Sequence, residues 1–174
     1  MQGYEVSVDE LLAAKDARIH LFKQMASHHH GTLVCFKLNI PGPVKNSELI
    51  VKAFIRGIEL WLDKLMSDSL VLLDEKIINE KTGPEYFVVV DYDPWLIKKI
   101  TTEIEETHPL GRLFDFDVMD RDLKGYGRTE IGYKPRKCLV CEENAFVCGR
   151  SRTHELSELT TEVTRLITRY FASK

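Results

Sequence analysis

The chain of 174 residues is long enough to form one domain with its own hydrophobic core, and we expect residues 1–174 to do so. Hydrophobic residues make up 44% and charged residues 29%, which excludes a disordered chain, a collagen-like repeat and a coiled coil. The formal net charge of -3 gives no overall positive field for nucleic acid or an anionic membrane. Residues 1–12 lack the features of a signal peptide, and no apolar run could span a membrane. We therefore expect a cytoplasmic protein with no nucleic-acid or membrane partner.

Hydrophobic periodicity predicts helices and strands in a definite order. Residues 7–25 form a first helix behind a capping-box sequence. The other predicted elements are strand 33–40, helix 47–66, strands 70–79 and 86–92 around a turn at 81–84, helix 93–106, strand 112–119 and helix 153–171.

The order strand, helix, strand, strand, helix, strand is that of an α+β, ferredoxin-like fold with a mixed or antiparallel sheet. The first and last predicted helices flank this unit. The last strand would then lie antiparallel beside the first, so that loops 41–46 and 108–112 become neighbours. The alternative is a nucleotidyltransferase-like α/β fold.

Two carboxylates share one face of the last predicted strand. The strand period of two places Asp115 and Asp117 together, opposite an aromatic face, and next to Lys37 and Asn39 of the first strand. The two carboxylates repel each other unless a cation or a basic group lies between them. A divalent metal that also binds substrate phosphates would meet this need, and oxygen ligands suit Mg²⁺ or Mn²⁺. A solvated acidic strand face is the alternative.

Basic residues concentrate after this strand. Residues 121–152 carry a net charge of +4, whereas the rest of the chain carries -7. Arginine offers paired donors to phosphate oxygens, and Lys45 precedes a predicted helix start, where free N–H groups also favour an anion. The segment therefore indicates a polyphosphate site, although each basic residue taken singly is also compatible with ordinary surface charge.

Three of the four cysteines lie close together in the sequence, whereas Cys35 stands apart. Cys138, Cys141, Cys148 and His154 follow the pattern C-x2-C-x6-C-x5-H, which matches a closed structural zinc site. The alternatives are packed reduced thiols, with Cys148 a small hydrophobe in a short buried helix near residues 145–147, or a redox or nucleophilic role. Disulfides are not expected in the cytoplasm.

Three motifs in this order resemble the holo-citrate lyase synthase family, CitX: PGPVKNSE at 41–48, HPLGRLFDFDV at 108–118, and PRKCLVC at 135–141 followed by Cys148, Arg150 and His154. The resemblance implies an apo-citrate lyase phosphoribosyl-dephospho-CoA transferase with nucleotidyltransferase chemistry. Such an enzyme attaches the 2'-(5''-triphosphoribosyl)-3'-dephospho-CoA prosthetic group to a serine of the acyl carrier (gamma) subunit of citrate lyase and releases diphosphate.

The leading hypothesis is that the carrier serine hydroxyl attacks the α phosphorus of the triphosphate and that diphosphate leaves in line. We expect Asp115 and Asp117 to be catalytic and to bind Mg²⁺ or Mn²⁺. The expected substrate-binding residues are Lys45, His108, Gly111, Arg112, Arg128, Arg136 and Arg150. The alternative function is a non-catalytic, zinc-stabilised adaptor that docks a partner protein through its basic segment.

Overall fold

The computed structural model describes residues 3–173. Its helices are α1 (Val8–His28), α2 (Glu48–Ser67), α3 (Pro94–Thr107), α4 (Ala145–Ser151) and α5 (Leu156–Ala172). Its strands are β1 (Thr32–Leu38), β2 (Leu72–Glu80), β3 (Gly83–Val90) and β4 (Phe114–Met119), and a 3-10 turn, Gly111–Leu113, leads into β4. Every predicted element is present with small changes at its ends.

The strands form one sheet in the order β2-β3-β1-β4, with antiparallel neighbours throughout. The α+β class is confirmed, and the α/β alternative is wrong because the described strands pair only antiparallel. β4 is an edge strand beside β1, and Lys37 lies opposite Asp115 in their register. The chain leaving β1 meets the chain entering β4, since the Asn39 N–H donates to the Leu113 carbonyl at 2.7 Å.

Both faces of the sheet are covered. One face packs against α2, α3 and α5 around Phe36, Trp61 and Phe116. The other face receives α1, whose Phe22 packs in a smaller cluster with Cys35. β1 is therefore buried on both sides along most of its length, and only its last two residues are partly exposed.

Side chains at the starts of α1, α2 and α3 explain why these three helices begin close to the predicted positions. Ser7 and Glu10 form the predicted capping box of α1. The hydroxyl of Ser47 accepts the Ile50 N–H in α2, and Asp93 caps α3. Each cap satisfies N–H groups that the first helical turn leaves free.

The hairpin between β2 and β3 is tighter than predicted. Residues 81–84 were expected to form the turn, but Gly83 already pairs with Glu80 and Pro84 lies within β3. Gly83 has a φ of +114°, a conformation that glycine adopts without steric cost. A turn of only Lys81 and Thr82 is therefore sufficient.

The short helix near residues 145–147 exists as α4, but its predicted burial is wrong. Phe146 is 67% exposed and Val147 is also exposed, whereas Cys148 is buried. α4 therefore buries the side chain of Cys148 and leaves the ring of Phe146 exposed to solvent. Within residues 3–173, no helix is both long and apolar enough to cross a membrane.

Candidate active site

Asp115 and Asp117 lie side by side on the α1 face of β4, as the alternation predicts, while the phenylalanines beside them are buried. The Lys37 ammonium lies between the carboxylates, with Nζ 2.6 Å from Asp115 Oδ2 and 2.5 Å from Asp117 Oδ2. A basic group therefore relieves the repulsion between the two carboxylates.

The pKa values of these groups reflect this contact. Burial alone would raise the pKa of Asp115, but Lys37, and then Arg136, hold it below its ordinary value. Burial alone would lower the pKa of Lys37, but Asp115 and Asp117 raise it above the usual range for lysine. Asp115 and Lys37 are therefore both charged at neutral pH.

The carboxylate oxygens that face away from Lys37 decide whether a metal fits. Asp115 Oδ1 is 3.5 Å from Arg136 Nη2, and the Asp117 side chain is 49% exposed. Mg²⁺ is commonly held by one or two carboxylates together with substrate phosphates, and this donor set has that character. The pair suits a cation that arrives with a phosphate ligand better than a cation held by protein alone.

The outer edge of β4 is closed by side chains instead of another strand. The Phe116 N–H donates to Glu105 Oε1 at 3.0 Å, and the Phe114 carbonyl accepts from Arg136 Nη1 at 2.7 Å. Lys98 Nζ donates to the Phe116 carbonyl at 2.7 Å. These bonds protect the edge from pairing with another chain, and they fix Arg136 beside the aspartates.

Glu105 is the buried acid of this network. It is 3% exposed and accepts from Arg128 and, at 2.8 Å, from Arg136 Nη2. Sequence reasoning missed it, although its position one helical turn after Thr101 on the buried face of α3 marks a carboxylate that needs a partner.

A cavity of about 710 Å³ opens beside this network. Its basic lining residues are Arg112, Arg136, Lys137 and Arg152, and its apolar lining includes Pro41, Leu139, Leu156 and Leu159. Positive charge next to apolar surface suits a ligand with both phosphates and a hydrophobic or ring-containing part. Sequence reasoning counted Arg152 in the basic segment but did not select it for the site, because its place at the end of α4 follows from tertiary structure.

The predicted cysteine and histidine cluster is present at the same cavity. The ligand atoms of Cys138, Cys141, Cys148 and His154 all lie within 4.8 Å of one another, so the cluster could hold a metal ion. Burial would raise the pKa of Cys138, but N–H groups of the backbone turn lower it to about 7. Burial raises the pKa of Cys148 to about 11. All four cysteines are free thiols.

His108 and Gly111, both predicted to bind substrate, shape the turn that enters β4. The His108 ring stacks on Phe114 with 5.3 Å between ring centres, and its Nδ1 accepts the Leu110 N–H. A Cβ at Gly111 would lie 2.2 Å from the Glu105 carbonyl oxygen. Gly111 therefore packs directly against the backbone of α3, where a side chain would not fit.

Three further predicted residues lie outside the cavity lining. Lys45 Nζ donates at 2.6 Å to a backbone carbonyl in the loop between β1 and α2. Arg128 forms ion pairs with Glu105 and Glu106, and the Arg150 guanidinium lies over the Phe146 ring at 5.4 Å. The structure thus brings Arg112 and Arg136 to one cavity, and places these three elsewhere.

A cavity lined by arginines and apolar side chains, with paired carboxylates nearby, suits an enzyme that binds a phosphorylated compound. The family model described as apo-citrate lyase phosphoribosyl-dephospho-CoA transferase, CitX, matches residues 6–170. The chain belongs to this family, which confirms the resemblance, and the family's activity is the transfer of phosphoribosyl-dephospho-CoA to apo-citrate lyase.

Relatives support the same assignment. The chain is 32% identical over 164 residues to the apo-citrate lyase phosphoribosyl-dephospho-CoA transferase of Citrobacter koseri, a match that covers 94% of this chain and 90% of the relative. A protein of the same name from Shigella flexneri is 31% identical over the same shares. A Haemophilus influenzae protein called CitXG is 32% identical over 95% of this chain, but the match covers only 36% of that longer protein.

Proposed function

We propose that this chain transfers the phosphoribosyl-dephospho-CoA group from a triphosphoribosyl donor to a serine of the acyl carrier (gamma) subunit of citrate lyase, with release of diphosphate. One observation carries the location of the site. Arg136 lines the cavity and also lies 3.5 Å from Asp115, so a single side chain joins the cavity to the paired carboxylates.

Each group has a role that its surroundings support. Arg112, Arg136 and Arg152 bind the donor's phosphate oxygens, because guanidinium groups offer paired donors to them. The apolar lining packs against the dephospho-CoA part. Three of the predicted residues outside the lining stay candidates for contacts with the carrier or with donor atoms beyond the cavity: Lys45, Arg128 and Arg150.

The paired carboxylates would hold the divalent cation, Mg²⁺ or Mn²⁺, through the oxygens that Lys37 leaves free. Such a cation would neutralise the negative charge that develops on the leaving diphosphate. Lys37 holds the two carboxylates together when no ligand is bound. Arg136 neutralises the phosphate nearest to Asp115.

Two structural assignments belong with this proposal. The strand order β2-β3-β1-β4, reached through β1-α2-β2-β3-α3-β4, supports a ferredoxin-like unit. The four ligand atoms of Cys138, Cys141, Cys148 and His154 support a closed structural zinc site. They would fill all four positions around a tetrahedral zinc ion and leave no position open for catalysis.

The test is transfer to the carrier subunit, followed by its mass and by diphosphate release. Asp117→Asn should keep the fold and lower the rate by a factor of about 100 or more, because an ion held at the phosphates contributes several kcal/mol to the transition state. Asp63→Asn, an exposed position on α2, is the matched control and should retain the full rate.

An Asp117→Asn protein with more than about a third of normal activity would contradict the role of the carboxylates, because that loss is under 1 kcal/mol. The adaptor alternative makes a different prediction. It expects the wild-type chain to bind a partner without any diphosphate release and without any change in the mass of the carrier.

A further inference from the structure

The segment that carries the cysteines has almost no hydrophobic core of its own. Between β4 and α4 the described chain contains no helix or strand. Among the hydrophobic residues at positions 120–155, only Cys138 and Cys148 are buried. The segment is held by packing of Leu123, Tyr126 and Leu139 against the main cores and by arginine ion pairs to α3, and a metal would add a local link near residues 138–154.

The ligand geometry fits zinc. A tetrahedral site with Zn–S bonds of about 2.3 Å and Zn–N bonds of about 2.1 Å places sulfurs about 3.8 Å apart, and sulfur and nitrogen about 3.6 Å apart. Here Cys141 Sγ is 3.6 Å from Cys148 Sγ and 3.2 Å from His154 Nε2. His154 Nδ1 lies 3.3 Å from Glu158 Oε2, so a carboxylate is placed to orient the imidazole, as in many zinc sites.

The four ligands lie in three successive local elements. Cys138 and Cys141 lie in the turn before α4, Cys148 is within α4, and His154 lies between α4 and α5. One ion at this point would therefore fasten the turn, α4 and the start of α5 to one another.

The cluster is also part of the cavity wall. Cys138, Cys148 and His154 line the cavity together with Arg112 and Arg152. Arg112 Nη2 donates to the Cys138 carbonyl at 2.5 Å, so the backbone of one ligand holds a cavity arginine in place. Arg152 directly follows α4 and lies two residues before His154.

We propose that the zinc site acts as a positioning site for the donor: zinc at the four ligands builds the cavity wall, and zinc occupancy therefore sets the affinity for the dephospho-CoA part of the donor. This inference rests on the proposed function, since it takes the cavity to be the donor site. The ion itself touches no reacting atom, because its coordination is complete.

The experiment measures zinc, local order and binding separately. Zinc is counted in the purified reduced protein, removed with a chelator and added back. Amide hydrogen exchange follows residues 134–156 and the sheet, and calorimetry measures the binding of dephospho-CoA itself. We expect about one zinc per chain. Removal should increase exchange in residues 134–156 but not in the sheet, and should weaken dephospho-CoA binding by about tenfold or more, reversibly.

The variant His154→Asn removes one ligand, and His20→Asn, an exposed position on α1, is its matched control. His154→Asn should reproduce the zinc-free behaviour, and the control should match wild type. Zinc-free purified protein in which Cys138, Cys141 and Cys148 are all reactive thiols, or unchanged exchange and binding after zinc removal, would overturn the inference. Zinc-loaded protein that does not bind dephospho-CoA at all would instead contradict the proposed function.

Discussion

Glu105 is the residue on which the site's arginines converge. It accepts from Arg128, from Arg136 and from the Phe116 N–H, and it is almost wholly buried. A buried carboxylate is tolerated only when donors of this kind surround it. Glu105 therefore acts as a positioning residue, since it sets where Arg136 stands between the cavity and Asp115.

The variant Glu105→Gln tests this role. The amide oxygen can still accept the Phe116 N–H, but Arg128 and Arg136 lose their buried negative partner and keep only the more exposed Glu106 and Asp115. We expect unfolding free energy to fall by about 3 kcal/mol in urea titrations, since breaking a buried ion pair leaves a charge uncompensated. Glu106→Gln is the control, because its side chain is 48% exposed and pairs only with Arg128, and should cost under about 1 kcal/mol. Equal losses in the two variants would argue against the buried network.

The pH dependence of stability tests the contact between Lys37 and Asp115. The pKa of Asp115 is lowered from 3.8, so its contribution is present above that value and is lost as the pH falls through the lower folded pKa. The pKa of Lys37 is raised above 10.5, so its contribution is complete below 10.5 and is lost only at higher pH.

The difference in unfolding free energy between wild type and Asp115→Asn should therefore be constant from about pH 5 to pH 9 and should shrink below about pH 4. Urea titrations across this range measure it. A difference that changes between pH 5 and 7 would mean that Asp115 titrates near neutrality, contrary to the geometry.

At the scale of elements, Gly111 shows how the turn before β4 is fixed. The sequence predicts a substrate contact at Gly111, and the structure packs its backbone against the last turn of α3. Ala at this position would place a methyl group against a backbone carbonyl, which cannot move aside as a flexible side chain can.

We expect Gly111→Ala to lower the unfolding free energy by about 1–3 kcal/mol. Gly149→Ala is a matched control, because Gly149 lies within α4 and a Cβ there would meet no atom within 4 Å. It should be neutral or stabilising by up to about 1 kcal/mol, as alanine favours the helix. Thermal and urea unfolding of both variants would decide this, and a tolerated Gly111→Ala would show that the turn is looser than described.

Local patterns account for what the sequence could predict. Caps such as Ser47, the alternation around Asp115 and the cysteine spacing are short-range signals, and the structure reproduces all three. The arginine positions depend on partners far along the chain. Arg128 pairs with an acid 22 residues earlier, and the segment between β4 and α4 has no periodic pattern from which its path could be inferred.

At the scale of the molecule, the positive charge of residues 121–152 is concentrated on one side of the sheet. The positive segment folds back over the edge strand β4, where acids from α3 take up some of its arginines and the cavity receives others. Arg136 does both, since it pairs with Glu105 and lines the cavity, and only the arginines in the lining can bind a ligand there. Sequence position alone therefore does not distinguish Arg150 from Arg152.

Added salt and alanine variants together test whether Arg152, and not Arg150, contacts the donor. The Michaelis constant for the donor should rise with added salt, because the cavity charges are partly exposed. Arg152→Ala should raise it by about tenfold or more, since a hydrogen bond to a charged group contributes about 1.5–3 kcal/mol, and should reduce its salt dependence. Arg150→Ala, a change of the same kind two residues away at a side chain that lies over Phe146, should have a smaller effect on both quantities. If Arg150→Ala or Lys45→Ala raised the Michaelis constant more than Arg152→Ala, the donor would bind outside this cavity.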